Sequence, residues 1–150
     1  MKGHSQLRKG RRNLPNQIYH VSSGTLEREP IFSSFHCGRI MINAMRHEHD
    51  FGYVESLAFV VMPDHFHWLF RLTGTRQLSV CINNVKAYSA KGINLIRGRN
   101  CKVWQTGYYD RAIRKEQDLE AVARYIVANP LRAGIVRSVK EYPLWDAKWL

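Results

Sequence analysis

The sequence predicts an α+β domain of the ferredoxin-like, split βαβ class: a four-stranded antiparallel sheet with helices on one face and a C-terminal helix that carries a tyrosine, Tyr125. Three observations predict this class. The chain has 150 residues, enough for one domain with its own core. Stretches with the apolar spacing of helices alternate with short runs rich in β-branched and aromatic residues. Two of those runs adjoin as a hairpin, which gives the order β-α-β-β-α-β-α.

The first half of the chain predicts a strand, a helix and the hairpin. Residues 17–23 combine β-branched and aromatic side chains, which favours a strand. Ser33 or Ser34 can cap a helix that runs to about His49. Residues 54–62 are almost continuously apolar, so we expect a strand buried on both faces. Pro63 and Asp64 then form a tight turn to a returning strand over residues 65–72.

The second half predicts two helices separated by an aromatic segment. Residues 78–96 have apolar residues at helical spacing, and Gly98 ends that helix. Residues 103–113 are interpreted as a strand or a loop. A second helix is expected from Asp118 to about Asn129, where Pro130 closes it. The remaining residues are expected to be short and irregular.

The charge is the most informative part of the composition. The chain carries 23 Lys and Arg against 12 Asp and Glu, a net charge of +11, which indicates a polyanionic partner and usually nucleic acid. Residues 65–109 contain no Asp or Glu at all, although solubility alone does not require such a distribution. We therefore predict that nucleic acid contacts the basic residues of this stretch and of the chain start: Arg11, Arg12, Arg71, Arg76, Lys86, Lys91, Arg97, Arg99 and Lys102.

Several classes of protein are disfavoured. The three cysteines are far apart and form no CxxC pair, which argues against a disulfide framework and a zinc ribbon. The longest apolar run, residues 57–62, is too short to span a membrane, and the basic start of the chain lacks the apolar stretch of a signal peptide. We expect a cytoplasmic protein with no membrane partner. It would consist of a flexible basic arm at residues 1–12 and a single domain at residues 13–150.

A pair of histidines begins the second strand of the hairpin. On a strand, residues i and i+2 point to the same face, so His65 and His67 present their imidazoles side by side. Phe66, Trp68 and Phe70 then point to the opposite face, towards the helices. Two neutral imidazoles make half of a divalent metal site. Two surface histidines can share this spacing by chance, but their position in the acid-free basic stretch favours a site for a metal and a phosphate.

Tyr125 and Asn129 form a second candidate pair. They are four positions apart in the sequence (i and i+4) and are therefore expected to stack on one helix face. A tyrosine beside a metal and cations is a competent nucleophile, and an amide oxygen can complete the metal's coordination. The structural alternative is a half-buried tyrosine with an asparagine that ends the helix before Pro130. Tyr109 is a rival nucleophile, but it has no such amide partner.

These motifs resemble those of a known family. His65-Phe66-His67 is similar to the His-hydrophobic-His element of HUH single-strand DNA endonucleases. The tract at residues 125–134 (YIVANPLRAG) resembles the tyrosine helix of single-tyrosine transposases. Segments at residues 19–21, 28–32 and 104–109 are similar to the REP-associated tyrosine transposase branch. The resemblance covers about residues 13–145 and implies a ferredoxin-like domain.

The resemblance also implies an activity, a cofactor and partners. The activity is cleavage and strand transfer of single-stranded DNA next to a REP-like hairpin, through a covalent 5′-phosphotyrosine and a free 3′-hydroxyl. It implies Tyr125 as the nucleophile and His65, His67 and Asn129 as ligands of Mg²⁺ or Mn²⁺; relatives often carry Gln at the last position. It further implies a bacterial, nucleoid-associated monomer or homodimer. The alternative function is a non-catalytic module on the same fold that binds single-stranded or hairpin nucleic acid.

Overall fold

The computed structural model describes residues 16–148, so the basic arm predicted at residues 1–12 lies outside the described residues. The order of strands and main helices is the predicted one. The elements are β1 (Ile18–Gly24), α1 (Phe35–Asp50), β2 (Val54–Met62), β3 (His65–Leu72), α2 (Leu78–Arg97), β4 (Tyr109–Ile113), α3 (Glu116–Val127), α4 (Asn129–Arg132) and β5 (Trp145–Ala147). No helix among residues 16–148 is long and apolar enough to cross a bilayer.

The sheet has five antiparallel strands, in the order β4-β1-β3-β2-β5, rather than the four that the sequence predicts. The additional strand, β5, lies in the stretch predicted to be irregular. It pairs with β2 through Ala58 and Ala147 at the edge of the sheet. A strand of three residues is too short for the alternation of polar and apolar side chains to reveal it.

The two faces of the sheet carry different chemistry. Phe66, Trp68 and Phe70 are fully buried on one face, as predicted. This face packs against the helices. α1 contacts β2, and Trp104 joins the face to α2: its ring centroid lies 5.5 Å from that of Phe66, and its Nε1 donates a hydrogen bond to Ser89 of α2 (3.0 Å). His65 and His67 lie on the opposite face, which we call the histidine face.

The histidine face is partly covered by α3, which packs across β2, β3, β4 and β5. Val122 and Ile126 of α3 are buried, as are Val60 and Leu69 of the histidine face. The helices therefore lie on both faces of the sheet, with α3 on the side of the two histidines. This arrangement brings the C-terminal part of the chain over the hairpin.

The bounds of the helices follow from local signals. Ser34 caps α1 by accepting a hydrogen bond from the Cys37 amide, and Gly98 ends α2 in the left-handed region (φ 63°). The helix predicted from Asp118 to Asn129 instead spans Glu116–Val127, and Asn129 begins the short α4. Ala128, between them, keeps helical dihedral angles (φ −83°, ψ −2°). The backbone therefore continues from α3 into α4 without a sharp turn.

Candidate active site

The two histidines of β3 lie next to each other on the histidine face. The ring centroids of His65 and His67 are 5.1 Å apart, and the rings meet edge to face. Their spacing follows from the two-residue repeat of the strand, as the sequence predicts. Each side chain is partly buried, so each imidazole contacts the protein and keeps some exposure to solvent.

His65 is held from behind by a carboxylate. Its Nδ1 donates a hydrogen bond to Asp64 Oδ1 at 2.7 Å. The other oxygen of Asp64 accepts a hydrogen bond from Arg28 Nε at 3.2 Å. The turn that carries Asp64 is fixed in place, because the amide of Thr25 donates to the Asp64 carbonyl at 2.9 Å. The Nε2 atom of His65 remains on the side away from these contacts.

His67 is held by a third histidine, which sequence analysis did not select. Its Nδ1 lies 2.9 Å from Nε2 of His20 on β1, and the two rings are 5.2 Å apart. Burial, followed by the charge of Arg111, lowers the pKa of His20 to about 4. Both imidazoles are charge-neutral at pH 7, because the pKa of His67 is lowered as well.

The lowered pKa of His67 has several causes. Burial is the largest, and the neighbouring imidazoles and two arginines add to it, so that the pKa falls from 6.5 to about 3. The two arginines are Arg28, which follows β1 in the chain, and Arg132, the last residue of α4. A neutral imidazole can donate a lone pair to a divalent metal, and the cationic groups around it favour a bound anion such as phosphate.

Tyr125 reaches the same face from α3. It is 54% exposed and lines a cleft of about 860 Å³ together with His20, Tyr109 and Arg111. The guanidinium of Arg132 lies over its ring, 3.9 Å from the centroid, a favourable cation–π arrangement. The charge of Arg132 also contributes to the lowered pKa of His67.

Asn129 is the least anchored of the residues predicted to bind a metal. Its side-chain amide nitrogen donates to the carbonyl of Ile126 at 3.3 Å, within its own helix turn. Among residues 16–148, no group of three His, Cys, Asp or Glu side chains is close enough to hold a metal ion. The structure thus brings the two histidines together and places Tyr125 on their face, while the third-ligand role of Asn129 stays a prediction.

Most of the basic residues predicted to bind nucleic acid make contacts within the protein. Arg71 pairs with Glu55, and Arg76 with the buried Glu48. Arg97 and Arg99 pair with Glu29 at 2.6 and 3.1 Å; these contacts lower the pKa of that carboxyl, the Arg97 hydrogen bond most of all. Lys86 donates hydrogen bonds to the carbonyls of Gln105 and Gly107, and Lys102 donates one to Thr106. Lys91 is exposed. Arg11 and Arg12 lie outside the described residues.

Two of these cations are connected to the histidine pair through Glu29 and its neighbour Arg28. Arg97 and Arg99 bind Glu29, whose neighbour Arg28 binds Asp64 and thereby the His65 end of β3. We call Arg28, Arg97 and Arg99 the basic rim. The segment that follows α2 joins the same end of the sheet, where Val103 accepts a hydrogen bond from the Leu26 amide (2.8 Å). A DNA backbone at the histidines would therefore meet cations at this rim.

Tyr88, Tyr108 and Tyr109 differ in their exposure. Tyr108 is buried (2% exposed) and belongs to the core, whereas Tyr88 and Tyr109 are about half exposed. Tyr109 lines the same cleft as Tyr125. It therefore stays an alternative candidate for the nucleophile, by its position as well as by its phenol group. It lies opposite Ser22 in the sheet.

The residues that sequence analysis missed are His20, Arg28, Asp64 and Arg132. Asp64 had a signal, because it directly precedes the histidine pair in MPDHFH. His20 and Arg28 lie within segments already noted for their family resemblance, but their distance in sequence hides their contacts with the hairpin. Arg132 lies within the tract at residues 125–134, but the resemblance of that tract did not indicate its contact with the Tyr125 ring.

The comparison with known families agrees with these motifs. The family model described as "Transposase IS200 like" matches residues 13–129, which is more than half of the chain. The REP-associated tyrosine transposase of Escherichia coli K12 is 30% identical over 90 residues, which cover 59% of this chain and 52% of that protein. A Haemophilus influenzae protein assigned to the same class is 27% identical over 99 residues, 59% of this chain and 56% of that protein. The chain thus spans about half the length of the curated relatives it matches.

Solved structures support the fold. A REP-associated tyrosine transposase bound to a REP hairpin superposes with a TM-score of 0.74 at 22% identity, covering 90% of this chain and 79% of that one. A Deinococcus radiodurans protein classed as a transposase gives a TM-score of 0.56 at 19% identity, over 77% of this chain and 93% of that one.

Proposed function

Because the chain belongs to the IS200-like transposase family, we propose that it cleaves single-stranded DNA next to a hairpin and transfers the strand through a covalent bond to Tyr125. The observation that carries the proposal is that Tyr125, with Arg132 over its ring, lines one cleft with His20, whose imidazole contacts His67 of the histidine pair. A hairpin as the substrate is supported by the solved relative that binds a REP hairpin.

The histidine pair suits a divalent metal. Both Nδ1 atoms are engaged, by Asp64 and by His20, so the two Nε2 atoms are the ones left to face a metal. His65 and His67 would hold the ion together with the amide oxygen of Asn129, leaving room for phosphate oxygens. Imidazole ligands suit Mn²⁺ better than Mg²⁺. When bound, the metal supplies Lewis-acid polarisation of the scissile phosphate.

The covalent step can be written for the residues of this chain. The phenolic oxygen of Tyr125 attacks the phosphorus in line with the 3′-oxygen, and the P–O3′ bond breaks as the Tyr–O–P bond forms. The proton lost by the phenol is balanced by the one gained at the 3′-oxygen, which leaves as a 3′-hydroxyl. Because the number of phosphoester bonds is unchanged, a 3′-hydroxyl can later reverse the step and join strands without ATP.

Arginines supply the charge that this step needs. Arg132 lies over the Tyr125 ring and near His67, where it can stabilise the phosphate that Tyr125 attacks. Arg28, held by Asp64, adds a second positive charge that lowers the pKa of His67, and it is part of the basic rim. Guanidinium groups suit this role because their planar donors match phosphate oxygens.

The proposal is tested by denaturing electrophoresis of the protein with a labelled hairpin oligonucleotide that carries an unpaired tail. With Mn²⁺, the unmodified protein should give a protein–DNA band that survives boiling in detergent, and EDTA should prevent the band. His65→Ala should give no band, yet hairpin affinity should stay within about threefold, because affinity comes from many basic contacts elsewhere.

The matched control is His36→Ala, which removes an exposed imidazole at the start of α1. It should form the band like the unmodified protein. A His65→Ala variant that forms the band at the parental rate would contradict the metal-site assignment. If the unmodified protein binds the hairpin but never gives a band with either metal, the chain is a binding module rather than a strand transferase.

A further inference from the structure

The contact between His20 and His67 allows two arrangements of protons. A neutral imidazole carries one proton, on either Nδ1 or Nε2. If His67 Nδ1 donates to His20 Nε2, the lone pair on His67 Nε2 is free. If His20 Nε2 donates instead, His67 carries its proton on Nε2 and has no lone pair there. The 2.9 Å contact is compatible with either direction, but the two have opposite consequences for the site.

We infer that His20 is a positioning residue that accepts the Nδ1 proton of His67 and so turns the Nε2 lone pair of His67 towards the metal side. This inference rests on the proposed function, because it assigns His20 a role at the same site. It makes the support of the two ligands equivalent: Asp64 holds His65 through Nδ1, and His20 holds His67 through Nδ1. A partner of this kind fixes both the tautomer and the orientation of a ligand histidine.

The sheet explains why His20 can perform this role. Pairing of β1 with β3 places Ser22 opposite His67 and His20 opposite Leu69, so His20 is the diagonal neighbour of His67 on the same face. β1 is an interior strand, bonded to β3 on one side and to β4 on the other. Its backbone is therefore fixed on both sides, and Arg111 lies directly across from His20 on β4.

The geometry argues against His20 being a ligand of the same ion. Its Nε2 atom is already at hydrogen-bond distance from His67 Nδ1, so that nitrogen is occupied by the contact. The histidine that faces the metal side is His67, next to His65. His20 thus acts on the metal site through its contact with His67.

The first arm of the test measures the tautomer directly in the metal-free protein. Two-dimensional ¹H–¹⁵N correlation spectra of the ring nitrogens at pH 7 distinguish the Nδ1–H from the Nε2–H form of each histidine. In the unmodified protein, His67 should carry its proton on Nδ1. In His20→Phe, which fills the space but accepts no hydrogen bond, His67 should shift towards the Nε2–H form that predominates in the side chain of free histidine.

The second arm measures Mn²⁺ affinity by electron paramagnetic resonance, without DNA or turnover. His20→Phe should bind Mn²⁺ about 10–100-fold more weakly than the unmodified protein, the usual effect of losing such a partner. His20→Gln should restore most of the affinity, because the end of the Gln side chain reaches the position of His Nε2 and can accept the same hydrogen bond. Hairpin affinity in EDTA should be unchanged in both variants.

The outcomes separate this inference from the proposed function. If the unmodified protein binds no Mn²⁺, the proposed metal site fails, and the spectra still report the His20–His67 bond. An Nε2–H form of His67 in the unmodified protein would overturn the inference without any variant. Equal Mn²⁺ affinity of His20→Phe and the unmodified protein would overturn it as well, even with the proposed function intact.

Discussion

Arg76 and Lys91 carry the same charge in the same acid-free stretch, but their surroundings differ. The Arg76 guanidinium lies 3.5 Å from the carboxylate of Glu48, whose side chain is 1% exposed, and 3.5 Å from the centre of the Tyr53 ring. Glu48 also contacts His47 at 3.3 Å. Lys91 is exposed on α2. One cation therefore neutralises a buried carboxylate, whereas the other is available to a partner.

We expect Arg76→Met to lower the free energy of unfolding by about 1–3 kcal/mol, because it leaves the Glu48 carboxylate buried with less compensation. Its hairpin affinity and its dependence on salt should be unchanged. Lys91→Met is the matched control: its stability should stay within about 0.5 kcal/mol of the parent, and its affinity for hairpin DNA should fall and depend less on salt. Urea denaturation and binding titrations at several salt concentrations measure both properties.

A different result would restore the sequence-based assignment. If Arg76→Met is as stable as the parent and its binding depends less on salt, Arg76 contacts phosphate, as the sequence predicts. The charge count could not distinguish the two cases, since the carboxylates that pair with this stretch lie at Glu29, Glu48 and Glu55. A segment without acidic residues can still pair with carboxylates from other parts of the chain once the protein is folded.

The segment before β5 packs closely against α1, at the contact between Leu144 and Gly38. A Cβ placed on Gly38 of α1 would lie 2.4 Å from Cδ1 and 3.0 Å from Cδ2 of Leu144, which is itself buried. Leu144 also accepts a hydrogen bond from the Val61 amide through its carbonyl (2.9 Å). Gly38 therefore makes room for the segment that leads into β5.

Gly38→Ala should destabilise the protein by about 1–2 kcal/mol, because the clash with Leu144 outweighs the better helix propensity of alanine. Leu144→Val removes part of the obstruction. In a double-mutant cycle by thermal or urea unfolding, Gly38→Ala combined with Leu144→Val should lose less stability than the sum of the two single variants. Additive losses would show that the two side chains do not compete for the same space.

Elements with a strong pattern were predictable, and the others were not. The hairpin of β2 and β3 has the predicted bounds, because an apolar run, a Pro-Asp turn and an alternating strand are all local signals. α1 begins after Ser34, one of the two predicted caps. β5 has three residues and depends on the edge of β2 for its hydrogen bonds, so no local signal could reveal it.

The whole molecule assembles the candidate site from three separate parts of the chain. β1 supplies His20, the hairpin supplies Asp64, His65 and His67, and α3 returns over the sheet with Tyr125. Family motifs predicted the histidine pair and the tyrosine, since each motif lies within one element. The partners that hold them, His20 and Arg132, come from different elements and could be found only in the folded structure.

The central claim is that Tyr125, on the histidine face, forms the covalent bond to DNA. The most direct measurement is mass spectrometry of peptides from the protein trapped with hairpin DNA and Mn²⁺, which identifies the residue that carries the nucleotide. The nucleotide should be on Tyr125. Tyr125→Phe should therefore form no adduct, while it keeps the ring, the stability and the hairpin affinity; Tyr109→Phe should still form one. A nucleotide on Tyr109, or an adduct that persists in Tyr125→Phe, would contradict the account.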